Sequence, residues 1–454
     1  MIRTLCLSLL LVACGDDGTG TPDSAVPDAA VPDAATDSGA DAGVDAGDVA
    51  PPDAGVDSGP GCVGPSDGEL CAAVSATCGT ITATDRCGEE RTSSCGSCVA
   101  TDTCGVVTAN QCDNPDWALS TVDDDGDAGQ QVSLAIDSDD RLHVAYRRDR
   151  QLRYALFDAG TWSTTIVDDP LLGGDTAIGV DGAGLVHIVT PLGSTSPARA
   201  VDVWTLEAGG WVQAFLGGLS VTRVGVAFDG TAAQICAYHP RSGGFGGILT
   251  HYAEGAAGFD SSTIDGTLSS SESREGDYCS IGFDGTDLHV AYHGGRFNRL
   301  EYATESGGTW TPEVVDAPAG DTAGTYVSMA LDGTGRAVIA YRALSIGDAE
   351  IRVARQSAAG WDIHTVGPAG VIANHASIAV DGDGLAHLSY FDSGEPGTLR
   401  YAEETSVGTF DITDVAVVGT GSGGHNAIGL DSTGTVHIVY YDVDASSLVH
   451  ATPR

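Results

Sequence analysis

The chain has 454 residues, of which 63 are acidic and 20 are basic, and its net charge at pH 7 is −43. Every one of the 20 basic residues is an arginine. A chain this acidic repels nucleic acid and anionic lipid headgroups, so the composition argues against a nucleic-acid partner and against electrostatic binding to membranes.

The chain opens with MIRTLCLSLLLVAC, in which one arginine precedes a mostly apolar run that ends at Cys14. This run is too short to cross a bilayer as a helix. It resembles the signal of a bacterial lipoprotein, with Leu11 to Cys14 as the lipobox. The resemblance implies that residues 1–13 are removed, that the Cys14 thiol is lipidated, and that the protein is anchored at the outer membrane or cell surface. A plain secretory signal with a chance cysteine is the alternative.

Residues 14–60 form a low-complexity segment of aspartate, alanine, proline and glycine, as in VPDAAVPDAA and DAGVDAGDVAPPDAG. Low hydrophobicity and like charges leave this segment nothing to fold around, so we expect a disordered linker. Calcium binding by its aspartates is the alternative, but their spacing is irregular.

Residues 61–113 form a cysteine-rich segment in which an even number of cysteines favours a small disulfide-bonded module. The part from Cys78 to Gly105 resembles a Cys-Gly module of exported bacterial proteins. The spacing leaves the connectivity open, and the Cys-Gly-Ser-Cys stretch lacks the second ligand pair of a zinc site. The eight cysteines are Cys62, Cys71, Cys78, Cys87, Cys95, Cys98, Cys104 and Cys112.

Residues 116–454 contain seven variants of one motif, most clearly SIAVDGDGLAHLSY, from Ser377 to Tyr390. Alternate apolar residues on both sides of an Asp-Gly centre are typical of two strands joined by a tight turn. An aspartate in such a turn can bond its own backbone two residues further on. The turn aspartates, spaced 44 to 55 residues apart, are Asp137, Asp181, Asp229, Asp284, Asp332, Asp381 and Asp431.

Each motif is followed by a third strand, a glycine-rich turn and a fourth strand that opens with an aromatic residue. Four strands in such a period predict a propeller blade, and the fold is therefore an all-β, seven-bladed antiparallel propeller. The last unit lacks its aromatic-led strand, and a matching strand, WALSTVD from Trp117, precedes the first hairpin. We therefore expect this N-terminal strand to close the seventh blade, which removes an exposed sheet edge.

Two further features of the propeller have structural interpretations. Cys236 and Cys279 fall at similar heights in adjacent blades, which predicts a disulfide. Histidines recur at one position of the second strand, and a residue repeated in every blade usually serves the blade, so we expect neither a metal site nor a cofactor. The recurring histidines are His143, His187, His289, His387 and His437.

The propeller resembles the sialidase-like families, whose blades contain a Ser-x-Asp-x-Gly-x-Thr-Trp turn known as the Asp box or BNR repeat. The stretch from Ala303 to Trp310, ATESGGTW, matches this box with alanine for serine and Glu305 for aspartate. The resemblance implies a site with three arginines and an activated tyrosine, for which Tyr278 or Tyr326 with Glu275 are the candidates. A glycoside hydrolase or glycan lyase is accordingly the alternative function.

The preferred function is binding of an extracellular ligand, either a glycan or a protein, by a monomer. Two rings of residues differ from blade to blade although their surroundings repeat, as an asymmetric ligand would require. The first ring lies six residues before each turn aspartate: Gln131, Asp175, Arg223, Tyr278, Tyr326, His375 and His425. The second ring is expected just past each second strand: Arg147, Pro191, His239, His293, Arg342, Phe391 and Tyr441.

The predicted ligand-binding residues come from these two rings, with the arginines placed to pair with a carboxylate or sulfate. They are Arg147, Arg223, Arg342, Tyr278, Tyr326, His239, His293, His375, His425 and Asp175.

Overall fold

The structure is a computed structural model, and it describes residues 66–454 with several short gaps. All described residues belong to one compact unit, Asp57–Arg454. The lipobox, the linker of residues 14–60, Cys62 and Cys98 lie outside the described residues. The gaps are residues 74–75, 77, 85–86, 98–102, 105–111, 114–115, 170–174, 192–199, 218–219, 241–246, 267–274, 296–297, 346–347, 368–372, 395–396 and 419–424. No helix in the described part is both long enough and apolar enough to span a membrane.

The cysteine-rich segment contains one short helix, which the sequence analysis did not predict. Ser66 and Glu69 cap it reciprocally, because the Ser66 amide donates to the Glu69 carboxylate at 2.7 Å and the Glu69 amide donates to the Ser66 hydroxyl at 3.3 Å. The elements of this segment are α1 (Asp67–Ala73), β1 (Thr80–Thr84), β2 (Glu90–Ser94), β3 (Thr103–Cys104) and β4 (Cys112–Asp113).

Disulfides hold the described part of this segment together and confirm pairing for five of its eight cysteines. The two described pairs are Cys71–Cys95 and Cys78–Cys104, and Cys87 is also disulfide-bonded. Leu70 and Ile81 are buried beside the first pair in a core of only a few residues. A core this small needs covalent support, which is why the disulfides matter here.

Residues 117–453 form seven four-stranded antiparallel sheets, as predicted. In blades 1 to 4, from the innermost strand outward, the strands are β6 (Ala128–Ile136), β7 (Leu142–Arg148), β8 (Gln151–Asp158) and β9 (Thr161–Asp168); β10 (Ala177–Val180), β11 (Val186–Pro191), β12 (Val201–Glu207) and β13 (Gly210–Leu216); β14 (Arg223–Asp229), β15 (Ala232–Pro240), β16 (Gly247–Gly255) and β17 (Gly258–Gly266); and β18 (Glu275–Phe283), β19 (Leu288–Gly294), β20 (Arg299–Ser306) and β21 (Thr309–Asp316).

Blades 5 and 6 follow the same order, and blade 7 takes its outermost strand from the beginning of the domain. The strands are β22 (Thr322–Leu331), β23 (Ala337–Ser345), β24 (Asp348–Ser357) and β25 (Gly360–Thr365); β26 (Ala373–Val380), β27 (Ala386–Asp392), β28 (Thr398–Ser406) and β29 (Thr409–Val417); and β30 (Asn426–Leu430), β31 (Val436–Asp442), β32 (Ser447–Pro453) and β5 (Trp117–Asp123).

Pairing of β5 with β32 closes the ring and confirms the predicted closure. The two strands run antiparallel, with Ala118 opposite Thr452. The Arg454 amide extends the pairing by donating to the Asp116 carbonyl at 3.0 Å. The innermost strand of blade 7, β30, then lies against the innermost strand of blade 1, β6, so blade follows blade around a central channel.

The turn aspartates organise six of the seven hairpins and contact the repeated histidines. In blade 1 the Asp137 carboxylate accepts the amides of Asp139 and Arg141, both at 2.9 Å, and lies 3.0 Å from His143 Nε2. His143 Nδ1 forms a 2.7 Å hydrogen bond with the Tyr154 hydroxyl on the third strand. The same Asp–His–Tyr arrangement recurs in blades 4 and 6, while a threonine and a histidine replace the tyrosine in blades 2 and 7.

The aromatic residue that opens each fourth strand packs against the preceding blade. In five blades it meets an aromatic ring on the third strand of that neighbour edge to face, a contact worth about 0.5–1.5 kcal/mol beyond the buried area. The pairs and their centroid distances are Trp162–His450 (5.5 Å), Trp211–Tyr154 (5.2 Å), Trp310–His251 (5.3 Å), Trp361–Tyr302 (5.0 Å) and Trp117–Tyr401 (5.3 Å).

Neighbouring blades also bond directly along the channel. The serine four residues before a turn aspartate accepts a backbone amide of the next blade, from Met329 to Ser280 at 3.1 Å and from Ile378 to Ser328 at 3.2 Å. Two residues before the turn aspartate the chain has only glycine or alanine. A Cβ on Gly429 would lie 2.9 Å from Ile136 of the next blade, so this position must stay small.

Replacing Trp117 by alanine tests the closure. Its side chain is 3% exposed, whereas Leu119, two residues along β5, is 45% exposed. We expect Trp117→Ala to lower the free energy of unfolding by about 3–5 kcal/mol, the usual cost of removing a buried large aromatic side chain. The matched Leu119→Ala should change it by less than about 0.5 kcal/mol. Equal urea midpoints for the two variants would contradict a closing role for Trp117.

Candidate ligand-binding site at the channel mouth

The first ring lies on a distorted part of the innermost strands. In four blades its residue has a left-handed backbone, with φ of 52° at Gln131, 57° at Tyr278, 53° at Tyr326 and 48° at His375. The pairing with the second strand shifts register at each of these places. Such bulges change the direction of a side chain and occur often at functional sites. A bulky residue in this conformation costs of order 1–3 kcal/mol, and strain of this kind points to a use.

All seven residues of the first ring line one cavity at the end of the central channel, which we call the mouth. The cavity has a volume of about 130 Å³ and joins the channel below it, whose own volume is about 320 Å³. The lining residues of the mouth are Gln131, Val132, Asp175, Arg223, Tyr278, Cys279, Tyr326, Val327, His375, Ala376, His425 and Asn426.

Aromatic rings from blades 4 to 7 form a continuous arc around the mouth. The centroid distances are 4.9 Å between Tyr278 and Tyr326, 4.3 Å between Tyr326 and His375, and 4.6 Å between His375 and His425. The Arg223 guanidinium extends the arc, with its Cζ 4.6 Å above the Tyr278 ring. One side of the mouth therefore offers flat ring faces and a cation.

The guanidiniums near the mouth differ in their partners. Arg223 has Asp175 of the mouth 3.6 Å away. Arg342 lies over the Tyr326 ring, with its Cζ 5.9 Å from the ring centroid. Among the described residues, neither Arg147 nor Arg342 has a carboxylate within ion-pair distance, and the Nε of each is buried without a hydrogen-bond partner. Buried polar groups rarely lack a hydrogen-bond partner unless a ligand or water supplies one.

Burial and nearby positive charge keep the two histidines of the mouth neutral. The pKa of His375 is lowered to about 3, first by burial and then by the charges of His425, Arg223 and Arg342. The pKa of His425 is lowered to about 4, first by burial and then by Arg223 and Arg147. These shifts show that the three arginines act on the same small region.

The second ring needs a correction. These residues were expected just past the second strands, but the strands run further and contain them, because the pairing with the third strand continues to the loop. The strands concerned end at Arg148, Pro191, Pro240, Gly294, Ser345, Asp392 and Asp442.

No residue of the second ring lines the mouth, and two of its predicted histidines pack behind it. His239 is buried and turns toward its own blade, where its Nε2 forms a 3.1 Å hydrogen bond with the Tyr252 hydroxyl. His293 is also buried, and its ring lies 6.5 Å from that of Tyr278, behind the mouth. Both therefore support the wall of the mouth.

Asn426 lines the mouth although the sequence analysis did not select it. Its side-chain amide donates to the His375 carbonyl at 2.6 Å, and its Oδ1 accepts the Ser389 hydroxyl at 2.6 Å. These bonds fix the bulge that holds His375. The signal was an asparagine at a position where the other blades have valine, threonine, cysteine or alanine.

The disulfide between Cys236 and Cys279 is present, as predicted, and it joins blades 3 and 4 at the mouth. Cys279 directly follows Tyr278 and Cys236 lies on β15, so the bond fixes the distance between the blades that provide Arg223 and Tyr278.

The residues selected through the sialidase resemblance have separate outcomes. Glu275 begins β18, and its side chain lies outside the described part of the chain. Glu305 accepts the Gly308 amide and so closes the turn between β20 and β21. In this chain the degenerate box therefore shapes a turn.

The sequence matches no family model and no curated protein. In fold, the chain is similar to an ulvan lyase of polysaccharide lyase family PL25, with 13% identity over 71% of this chain and 94% of the lyase and a TM-score of 0.54. The PL25 ulvan lyase bound to -[GlcA(1-4)Rha3S]- gives a TM-score of 0.53 with the same identity and coverage. A lectin from Burkholderia pseudomallei is similar over 69% of this chain and 97% of its own, with 15% identity and a TM-score of 0.51. At these identities the similarity shows a shared propeller fold.

Proposed function

We propose that the mouth binds an acidic glycan through a carboxylate or sulfate group. The observation behind this proposal is that Arg147 and Arg342 lack a carboxylate partner among the described residues of a chain whose net charge is −43. Acidic residues outnumber basic ones 63 to 20, so an internal partner would be easy to supply. An anionic ligand would supply the ion-pair partner that these two guanidiniums lack among the described residues.

The other groups of the mouth suit a sugar attached to that anion. A guanidinium offers two parallel N–H donors to a carboxylate or sulfate. The guanidiniums of Arg223 and Arg342 lie over the rings of Tyr278 and Tyr326, so a sugar whose anion pairs with either arginine would also be close to the ring arc. Tyr278 and Tyr326 present flat apolar faces for a pyranose ring. Asp175, on the other side of the mouth, can accept hydrogen bonds from sugar hydroxyls.

The structural neighbours are consistent with this ligand class. One neighbour is a lectin, and another is a polysaccharide lyase solved with a saccharide that contains glucuronate and sulfated rhamnose. That saccharide bears both a carboxylate and a sulfate, which makes GlcA(1-4)Rha3S a suitable first probe.

Arginine variants test the binding site. We expect an array of glycans to show binding to acidic members, and Arg147→Ala and Arg342→Ala each to weaken binding of the probe by about 1.5–3 kcal/mol, the range for charged hydrogen bonds. Thermal stability should hardly change, because neither side chain makes an ion pair with a described residue. Arg336→Ala is the matched control, since this arginine is exposed beside the Asp332 turn. Calorimetric affinities that are unchanged by both arginine substitutions would place the binding site elsewhere, with the cysteine-rich segment as the next candidate.

A second candidate function is cleavage of the glycan by elimination. His375 and His425 are neutral bases near three arginines, and the Tyr326 ring lies against that of His375. In such a reaction an arginine neutralises the uronate carboxylate, and an imidazole removes the proton on the adjacent carbon. The glycosidic C–O bond then breaks as a C=C bond forms, and the tyrosine gives its proton to the leaving oxygen. Hydrolysis usually needs two carboxylates, and Asp175 is the single one among the described residues of the mouth.

Product formation separates binding from cleavage. If the protein is a lyase, incubation with uronate-containing polysaccharides should produce the ultraviolet absorbance of an unsaturated uronate, and His375→Gln together with His425→Gln should abolish it. Retained binding without this absorbance and without new reducing ends would exclude both cleavage reactions on the substrates tested.

We further propose that the protein is lipid-anchored at Cys14, with residues 14–60 as a spacer that holds the propeller away from the membrane. The support is the lipobox sequence and the aspartate-rich composition that follows it. Cys14→Ser should move the full-length protein from the membrane fraction to the soluble fraction, whereas Cys6→Ser, in the apolar run, should not. A Cys14→Ser protein that still sediments with membranes would contradict the anchor.

A further inference from the structure

We propose that His375 and His425, the histidine pair of the mouth, take up a proton when an anionic sugar binds, so that the ligand is held more tightly as the pH falls. The two histidines would thereby make the mouth select anionic sugars. This inference rests on the proposed function, and it adds that binding of the acidic glycan is coupled to uptake of a proton.

The histidine pair is built differently from the histidines inside the blades. His143 uses both ring nitrogens, one toward the turn aspartate and one toward a third-strand tyrosine. Within the described part of the chain, no ring nitrogen of His375 or His425 has a hydrogen-bond partner. Both rings line the mouth and are held 4.6 Å apart, so their free nitrogens are available to a ligand.

The surroundings of the pair oppose a positive charge when the mouth has no anion. Arginines reach the pair from three separate strands, β7, β14 and β23, and only one carboxylate, Asp175, lines the described mouth with it. Asp127 is held by the hydroxyl of Tyr441, whose amide donates to the His425 carbonyl. The charged and titratable groups around the pair are Arg147, Arg223, Arg342, Tyr278, Tyr326, Tyr441, Asp127 and Asp175.

An anion in the mouth reverses this balance. Its negative charge favours the protonated imidazole, and protonation gives that imidazole a second N–H donor for the anion. The pKa values of the free protein are about 3 for His375 and about 4 for His425, against 6.5 for an unperturbed histidine. A bound anion raises these pKa values. At a pH between the pKa of the free protein and the pKa of the complex, the complex therefore holds more protons than the free protein. By linkage, affinity then increases as the pH falls through this window.

Direct titration of the imidazoles tests the proton uptake. The full-length protein, labelled at the histidine ring carbons, is titrated by NMR with and without saturating GlcA(1-4)Rha3S. The expected result is that the pKa of at least one of His375 and His425 rises by one unit or more on binding. Histidine signals whose midpoints are the same with and without the bound saccharide would overturn the inference.

Calorimetry measures the consequence for affinity. Where one proton is taken up, the association constant should rise about tenfold for each pH unit of acidification, and the heat should depend on the ionisation enthalpy of the buffer. His375→Gln with His425→Gln should flatten this dependence. His251→Gln is the matched control, because burial lowers the pKa of His251 to about 4 as well, but its ring lies between blades 3 and 4, away from the mouth.

The experiments separate failure of the inference from failure of the proposed function. Binding that is weakened by Arg342→Ala but is independent of pH leaves the acidic-glycan site intact and overturns the proton uptake. Absence of binding to the saccharide and to every acidic member of the array overturns the proposed function, and the inference with it.

Discussion

The hydrogen bonds of the turn aspartates are the constraint on which the rest of the propeller depends. Six of the seven aspartates fix their own turns, and five of them contact a histidine of the second strand. In three blades that histidine bonds a tyrosine of the third strand. The third-strand aromatic ring then receives the edge-to-face contact of the next blade. In these three blades, order in one hairpin is therefore transmitted across the blade to the next one.

Because this support is repeated, the mouth is free to differ from blade to blade. The first ring lies only six residues before the turn aspartates, yet it contains an amide, a carboxylate, a guanidinium, two phenols and two imidazoles. Four of these residues have a left-handed backbone, a conformation that only glycine and asparagine adopt at low cost. The fold thus accepts strain at the same point in several blades and gains side chains that turn toward the channel.

The sequence was sufficient to predict the features that repeat from blade to blade, but it could not predict features that depend on contacts between particular side chains. The seven turns, the closing strand at Trp117 and the Cys236–Cys279 disulfide could be predicted, because each is a matter of counting positions along equivalent blades. Counting also identified the first ring. It could not show that His239 turns to Tyr252, nor that Arg342 has no carboxylate partner among the described residues, because both depend on neighbouring side chains. Asn426 was missed because its role lies in bonds to another blade.

The closure of blade 7 has a mechanical consequence. Since the domain begins at β5 and ends at β32, any tension transmitted through the residues ahead of Trp117 acts first on the hydrogen bonds between these two strands. That seam lies in blade 7, which contributes His425 and Asn426 to the mouth, whereas Arg223, Tyr278 and Tyr326 belong to blades 3 to 5 across the ring. Tension would therefore disrupt blade 7 first, while the strands that hold Arg223, Tyr278 and Tyr326 are still paired within their own blades.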